Sequence, residues 1–348
     1  MSKPASTSDH LDADDAAMLL LTTGISKAYQ RLDYMIIRNF IGGALVSVGG
    51  LVTLLVKGGC DGLSQSNPAV VQLLLGLVFP VGLVMSTLTG GELSTGNILF
   101  LSIALLQRKI PLWRSIHCFF VSFFANLAGS LFYLVIAHYG NILSDDPYKT
   151  GTIVFATDKV LVPSASTVFV RAIGCNWLIC IGVYTAFLSR TVVSRVISIW
   201  IPIFTFVAVG FENSVANMFL VPIGMINGAP ISVGLFIWKS LILSTAGNIV
   251  GGGFFVALVY WYLYIFPADG AKDEIDMGSE SILPITETSA GTPVTKIRSR
   301  PIPLSESLES LNRRERKFHN SVSHDANSVS PTEATRSGAN SDTDEKAE

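Results

Sequence analysis

Gly210-Phe211-Glu212-Asn213-Ser214-Val215-Ala216-Asn217-Met218 lies inside one long apolar stretch, and Gly91-Glu92-Leu93-Ser94-Thr95-Gly96-Asn97 lies inside another. Both contain Glu-x-Ser-x-x-Asn, and the two glutamates are 120 residues apart. They are the only acidic residues within the apolar stretches long enough to cross a bilayer. A charged side chain at membrane depth costs roughly 3 kcal/mol or more on insertion scales, so ionisable groups there mark function or structure. Two such groups in one repeated local pattern point to a device used twice.

Working outward, the 348 residues are 49% hydrophobic and only 14% charged, with mean hydropathy +0.50. A soluble domain carries about 25% charge. The charge is concentrated outside residues 34–266, which reads as a membrane domain between a short N-terminal segment (1–33) and a polar tail (267–348). The tail has ten Lys/Arg against fifteen Asp/Glu and many Ser and Thr, a composition expected to be disordered. Its cluster Arg313-Arg314-Glu315-Arg316-Lys317 reads as a solvated charge run. The N-terminus is acidic and its first apolar run, Met18–Thr22, is too short for a signal peptide. Leu11–Leu32 reads as an amphipathic helix on the membrane surface.

Six spans follow: about Tyr34–Val56, Ala69–Leu105, Ile116–Ala137, Thr167–Leu188, Val196–Met225 and Val233–Phe266. Thr89-Gly90-Gly91-Glu92 interrupts the second, and Gly210-Phe211-Glu212-Asn213 interrupts the fifth. Broken helices at this depth are tolerated where they line a cavity. Nine Lys/Arg fall on the N-terminal side of the spans, against Lys57, Lys149 and Lys159 in the opposite loops. Both termini are therefore expected in the cytoplasm. Arg171 and Lys239, near span ends, can snorkel or pair.

A second pair of matches sits in spans three and six: Asn126-Leu-Ala-Gly129 and Asn248-Ile-Val-Gly251, each followed by a phenylalanine, Phe132 or Phe254. Spans one to three and four to six thus read as two copies. Three spans per copy is odd, so the copies must be inverted, an arrangement that places a substrate site near the midplane. The expected fold is all-α: six transmembrane helices as two inverted three-helix repeats, broken in helices two and five. The expected function is transport.

Buried amides need partners, so Asn97, Asn126, Asn217 and Asn248 are read as ties between helix ends and neighbouring spans. Glu92 and Glu212 are expected to accept backbone N–H groups freed by the breaks. Proton carriage by the pair is the second option. The glycines read as close helix packing. No phosphate-cradling loop is present and nothing points to nucleic acid. Cys60, Cys118, Cys175 and Cys180 lack metal spacing, His117 reads as a surface histidine near Arg114, and Asn67-Pro68-Ala69 as a helix start. No metal, cofactor or catalytic residue is assigned, and the chain is not read as an enzyme.

Four blocks carry a family resemblance over nearly all of residues 31–266: Gly91–Asn97, Gly174-Cys175-Asn176-Trp177-Leu178, Gly210–Met218 and Gly247-Asn248-Ile249-Val250-Gly251-Gly252-Gly253. The chain resembles the formate/nitrite transporter family. That resemblance implies an aquaporin-like fold and a homopentamer with one pore per protomer. It also implies small weak-acid anions as substrates: nitrite, formate, and also hydrosulfide, acetate or lactate, with protons. It assigns Leu93, Ser94 and Thr95 to the loop breaking span two, with Thr95 at the pore centre, and adds Asn176 to the pore set. Phe79, Leu83 and Phe206 match the apolar constrictions. The family's usual central histidine is Asn213 here, and an amide cannot lend a proton near neutral pH. Ser94 stands where a bulkier loop residue is common. The leading expectation is a plasma-membrane nitrite or formate permease coupled to protons. The alternative is a channel for neutral weak acids or other small uncharged solutes.

Overall fold

The computed structural model describes residues 10–266. Among the described residues the regular structure is helical, and the single sheet-like contact is an antiparallel bridge between His10 and Ser189. Helix α1 (Ala13–Ala28) has Asp14 and Asp15 in its first turn and Lys27 in its last, charges that complement the helix dipole. Its buried stripe is Ala16, Ala17, Leu20, Leu21, Gly24 and Ala28, at helical spacing.

The chain then runs through α2 (Leu32–Gly59), the short α3 (Asp61–Ser66), α4 (Pro68–Val78) and α5 (Pro80–Leu88). Pro68 occupies the start of α4, where its missing N–H would be unpaired in any case. After residues 89–93 come α6 (Ser94–Leu106) and α7 (Leu112–Tyr139). The remaining elements are α8 (Tyr148–Val160), α9 (Ala165–Leu188), α10 (Val192–Ala208), α11 (Ser214–Asn227) and α12 (Val233–Ile265). Helix α12 contains π-helical stretches, Phe236–Leu243, Val250–Leu258 and Trp261–Ile265.

Among the described residues, five helical stretches are long and apolar enough to cross a bilayer: α2, α4 with α5, α7, α9 and α12. Helices α6, α10 and α11 are apolar but shorter. The protein is a multi-pass membrane protein. The expected fifth span corresponds to two helices, α10 and α11, neither long enough to cross by itself.

Two differences from the sequence expectations concern the polar-looking helices. The apolar stripe of α1, expected as an amphipathic helix at the membrane surface, packs against α6 and α9. Gly24 is what permits the contact, because a Cβ there would run into the Phe100 carbonyl. Residues 148–160, expected as a loop, form α8, which packs against α2 and α11. Small residues likewise set the tightest crossings of the long helices. A Cβ on Gly129 would meet the Phe40 carbonyl of α2, and one on Gly251 would meet the Ile173 carbonyl of α9.

Candidate functional site

The two Glu-x-Ser-x-x-Asn segments occupy matching places. Helix α5 ends at Leu88 and Gly90 turns the chain at φ +81°; α10 ends at Ala208 and Gly210 turns it at +75°. These left-handed turns suit glycine. Leu93 and Asn213 are then extended residues immediately preceding α6 and α11. Each segment is laced to the neighbouring helix by its glutamate's backbone: Glu92 N–H donates to the Arg38 carbonyl (3.0 Å) and Glu212 N–H to that of Arg171 (3.5 Å).

Asn126 and Asn248 satisfy the rest. Asn126 Oδ1 accepts the Ser94 N–H (2.8 Å), while its Nδ2 donates to the carbonyls of Asn39 (2.6 Å) and Glu92 (2.9 Å). Asn248 repeats this: its Oδ1 accepts the Ser214 N–H (3.0 Å), and its Nδ2 donates to Ala172 (2.8 Å) and Glu212 (3.0 Å). An amide offers an acceptor and two donors, matching one N–H and two carbonyls; a carboxylate has no donor to give. The glutamate side chains therefore take another role than the backbone acceptance expected of them.

That role is ion pairing. Glu92 Oε2 meets Lys27 Nζ at 2.8 Å and Glu92 Oε1 meets Arg38 at 3.3 Å, with Gln30 and Asn97 donating to Oε2 at 3.5 and 3.4 Å. Glu212 Oε2 meets Lys159 Nζ at 2.9 Å and accepts from Asn217 at 3.0 Å. The glutamates are 6% and 2% exposed, and their lysines 15% and 16%. Burial pushes the Lys27 ammonium below its ordinary value, and Glu92 opposes that shift. Each lysine comes from one of the short helices, α1 or α8, and stands over an aromatic ring, Phe100 or Phe155. Sequence reasoning missed both pairings. Lys27 falls on the expected surface helix and Lys159 in an expected loop, and no local spacing links either to its glutamate.

Two cavities adjoin these pairs. One, of about 510 Å³, is lined by Lys27, Arg38, Glu92, Leu83 and Leu93 among others. The second, of about 390 Å³, is lined by Lys159, Arg171, Glu212, Asn213, Phe79 and Phe206 among others. Phe79, Leu83, Leu93 and Phe206 belong to one apolar cluster, so the same cluster presents members to each cavity. The Phe79 and Phe206 rings meet edge to face, with centroids 5.9 Å apart.

Of the expected pore residues, Leu93 lines the first cavity and Asn213 the second. Ser94, Thr95 and Asn176 are buried and line neither. Asn176 Nδ2 ties the Thr95 carbonyl (3.2 Å) to that of Asn248 (2.8 Å). The Ser94 and Thr95 hydroxyls and Asn176 Oδ1 are buried without a hydrogen-bond partner. Asn213 caps α11: its Oδ1 accepts the Ala216 N–H at 2.9 Å. That bond fixes the amide so that Nδ2 is the group left to donate. Among the described residues no set of three His, Cys, Asp or Glu could hold a metal ion.

Residues 14–262 match the family model for the formate/nitrite transporter. The chain is 38% identical over 251 residues to a probable formate transporter of Methanothermobacter thermautotrophicus, covering 67% of this chain and 90% of that protein. It is 36% identical over 256 residues to a formate channel of Bacillus thuringiensis, covering 72% and 95%. Among solved structures, a pentameric formate channel with formate bound superposes with a TM-score of 0.57 at 26% identity, over 73% of this chain and 99% of that one. The matched stretch contains both glutamate segments and both asparagine ties, and it makes this chain a member of the formate/nitrite transporter family.

Proposed function

We propose that the protein carries formate and nitrite across the plasma membrane through a pore in each protomer of a homopentamer, with protons accompanying the anion. Membrane transport follows from the family; the substrates, the coupling and the assembly are our reading. The observation that carries it is the repeated arrangement of a buried Lys–Glu pair beside each cavity, with one apolar cluster contributing to both. Positive groups in a cleft with low-dielectric walls concentrate anions. The apolar cluster then opposes a bare charge, whose removal from water is costly, and admits the neutral acid far more readily. A weak-acid anion fits both conditions: it is gathered as an anion and crosses the constriction with a proton.

In this reading the helices form two inverted three-helix copies, with α5/α6 and α10/α11 as the broken members. Thr95 and Asn213 face the substrate path at the midplane. Residues 1–33 and 267–348, of which 1–9 and 267–348 lie outside the described residues, are cytoplasmic. The second cavity then opens to the outside. The apolar faces of α7 and α12, with Phe120, Phe124 and Phe254 more than half exposed, are covered by lipid or a neighbouring protomer. The chain works as a transporter and not as an enzyme.

One observation favours the second reading, a channel for neutral weak acids or other small uncharged solutes: the central polar side chain, Asn213, does not titrate. On the leading reading the proton comes from water in a cavity. Uptake of labelled formate, nitrite and an uncharged solute of similar size by transporter-deficient cells separates the two. Anion uptake that rises as external pH falls is the expected result. A protein that moves the uncharged solute and neither anion overturns it.

A further inference from the structure

The internal repeat maps more than the glutamates. Glu92 N–H binds the Arg38 carbonyl and Glu212 N–H binds that of Arg171; Asn126 binds the Asn39 carbonyl and Asn248 that of Ala172. In both cases the helix positions are 133 residues apart, so Arg38 on α2 and Arg171 on α9 are equivalents. Each half therefore holds the same three charges: Lys27, Arg38 and Glu92 in one, Lys159, Arg171 and Glu212 in the other. The two triads are not in the same state. Arg38 is bound to its glutamate at 3.3 Å, closing the first triad. Arg171 forms no ion pair with a carboxylate among the described residues, although Glu212 and Asp158 line the same cavity.

We infer that Arg171 is an anion-capture residue, a guanidinium left uncommitted at the second cavity, which takes the two oxygens of a carboxylate or nitrite before the constriction. The inference rests on the function proposed above and adds a residue to it. Lys159 is committed to Glu212, and Lys57, the other cation lining this cavity, is a point charge. A guanidinium presents parallel N–H groups that match two oxygens in one plane, which an ammonium does not. Arg171 is exposed at this cavity, so the hold is weak, as a permeation path requires. In the first cavity the equivalent arginine instead meets Glu92, at 3.3 Å.

The test uses the full-length protein in liposomes, with initial rates of labelled formate and nitrite measured against concentration in both directions. Arg171→Gln should raise the half-saturating concentration roughly threefold to tenfold in the direction that enters by the second cavity, at the low end of what focused charge delivers. The maximal rate should hold. Arg171→Lys should recover only part of the loss, and added salt should shrink the difference from the parent. Arg38→Gln should lower the melting temperature and leave that half-saturation unchanged. The inference fails if Arg171→Gln leaves half-saturation unmoved in both directions, or lowers maximal rate and folded yield together without moving it. If Arg171→Gln does not fold, Arg171→Lys decides, and a half-saturation equal to the parent's overturns the assignment. A parent that moves neither anion instead overturns the proposed function.

Discussion

Removing one lysine at a time should expose how differently the two buried glutamates are held. Lys159→Met deletes the cation at 2.9 Å from Glu212, a carboxylate 2% exposed, leaving it the Asn217 amide at 3.0 Å as its remaining hydrogen-bond donor. Leaving a buried charge unpaired costs about 3–5 kcal/mol. Lys27→Met deletes the 2.8 Å partner of Glu92, but Arg38, Gln30 and Asn97 still contact that carboxylate. Retaining a second cation should hold the loss to about 1.5 kcal/mol, the low end for a hydrogen bond to a charged group. At about 2–4 °C per kcal/mol for a domain of this size, Lys159→Met should melt roughly 6–20 °C below the parent and Lys27→Met only a few degrees below. The double change Lys159→Met with Glu212→Gln removes the orphaned charge, and most of the lost stability should return. The assay is thermal unfolding of detergent-purified protein, followed by size-exclusion with tryptophan fluorescence. Equal losses for the two lysines, or a double variant no better than Lys159→Met, would refute the reasoning.

At Asn213, Ala should remove the α11 cap at a cost of about 1 kcal/mol and lower the flux, measured by melting and by formate uptake. Asn213→His should keep the flux and add a pH dependence near roughly pH 6–7, where imidazole titrates; a profile parallel to the parent's would count against Asn213 facing the path. Asn248→Leu orphans the Ser214 N–H and the Glu212 carbonyl, and takes the Ala172 carbonyl's extra donor away, so it should destabilise by about 2–6 kcal/mol at about 1–3 per unpaired buried group. Hydrogen exchange at residues 212–216 should rise with it, and unchanged protection there would rule out the tie.

Much of the frame was legible because it is written locally. The Glu-x-Ser-x-x-Asn pairs and the matched Asn126 and Asn248 stand at fixed offsets, and Gly90 and Gly210 carry the turns that interrupt apolar runs. The asparagines are read as ties because a buried amide must find partners wherever the chain goes. Helix α8 was missed because residues 148–160 have no clear apolar stripe. It is held by the groove between α2 and α11, where Gly58 and Gly151 approach closely. The ion pairs were missed for a related reason. Lys27 and Glu92 are far apart in sequence, as are Lys159 and Glu212, and only the docking of α1 and α8 brings them together.

The division of labour within each segment follows from valence. The segment before α6 or α11 offers one buried N–H and one buried carbonyl, Ser94 and Glu92 or Ser214 and Glu212, and a side chain that both donates and accepts can meet the two while its second N–H ties on a carbonyl of α2 or α9. Asparagine from the neighbouring helix does this twice, in Asn126 and Asn248. The carboxylate beside the break is thereby released from the backbone, and its charge must be met by a cation that can be buried with it. A lysine on a short helix outside the main spans meets that need while remaining about 15% exposed at a cavity. The same lysine can then serve two ends, balancing the glutamate and showing a positive edge to an arriving anion. Where the second cation also pairs with the carboxylate, as the half-exposed Arg38 does at 3.3 Å, part of its charge is met within the triad. Where it is left out, as Arg171 is, the charge remains available to the solute.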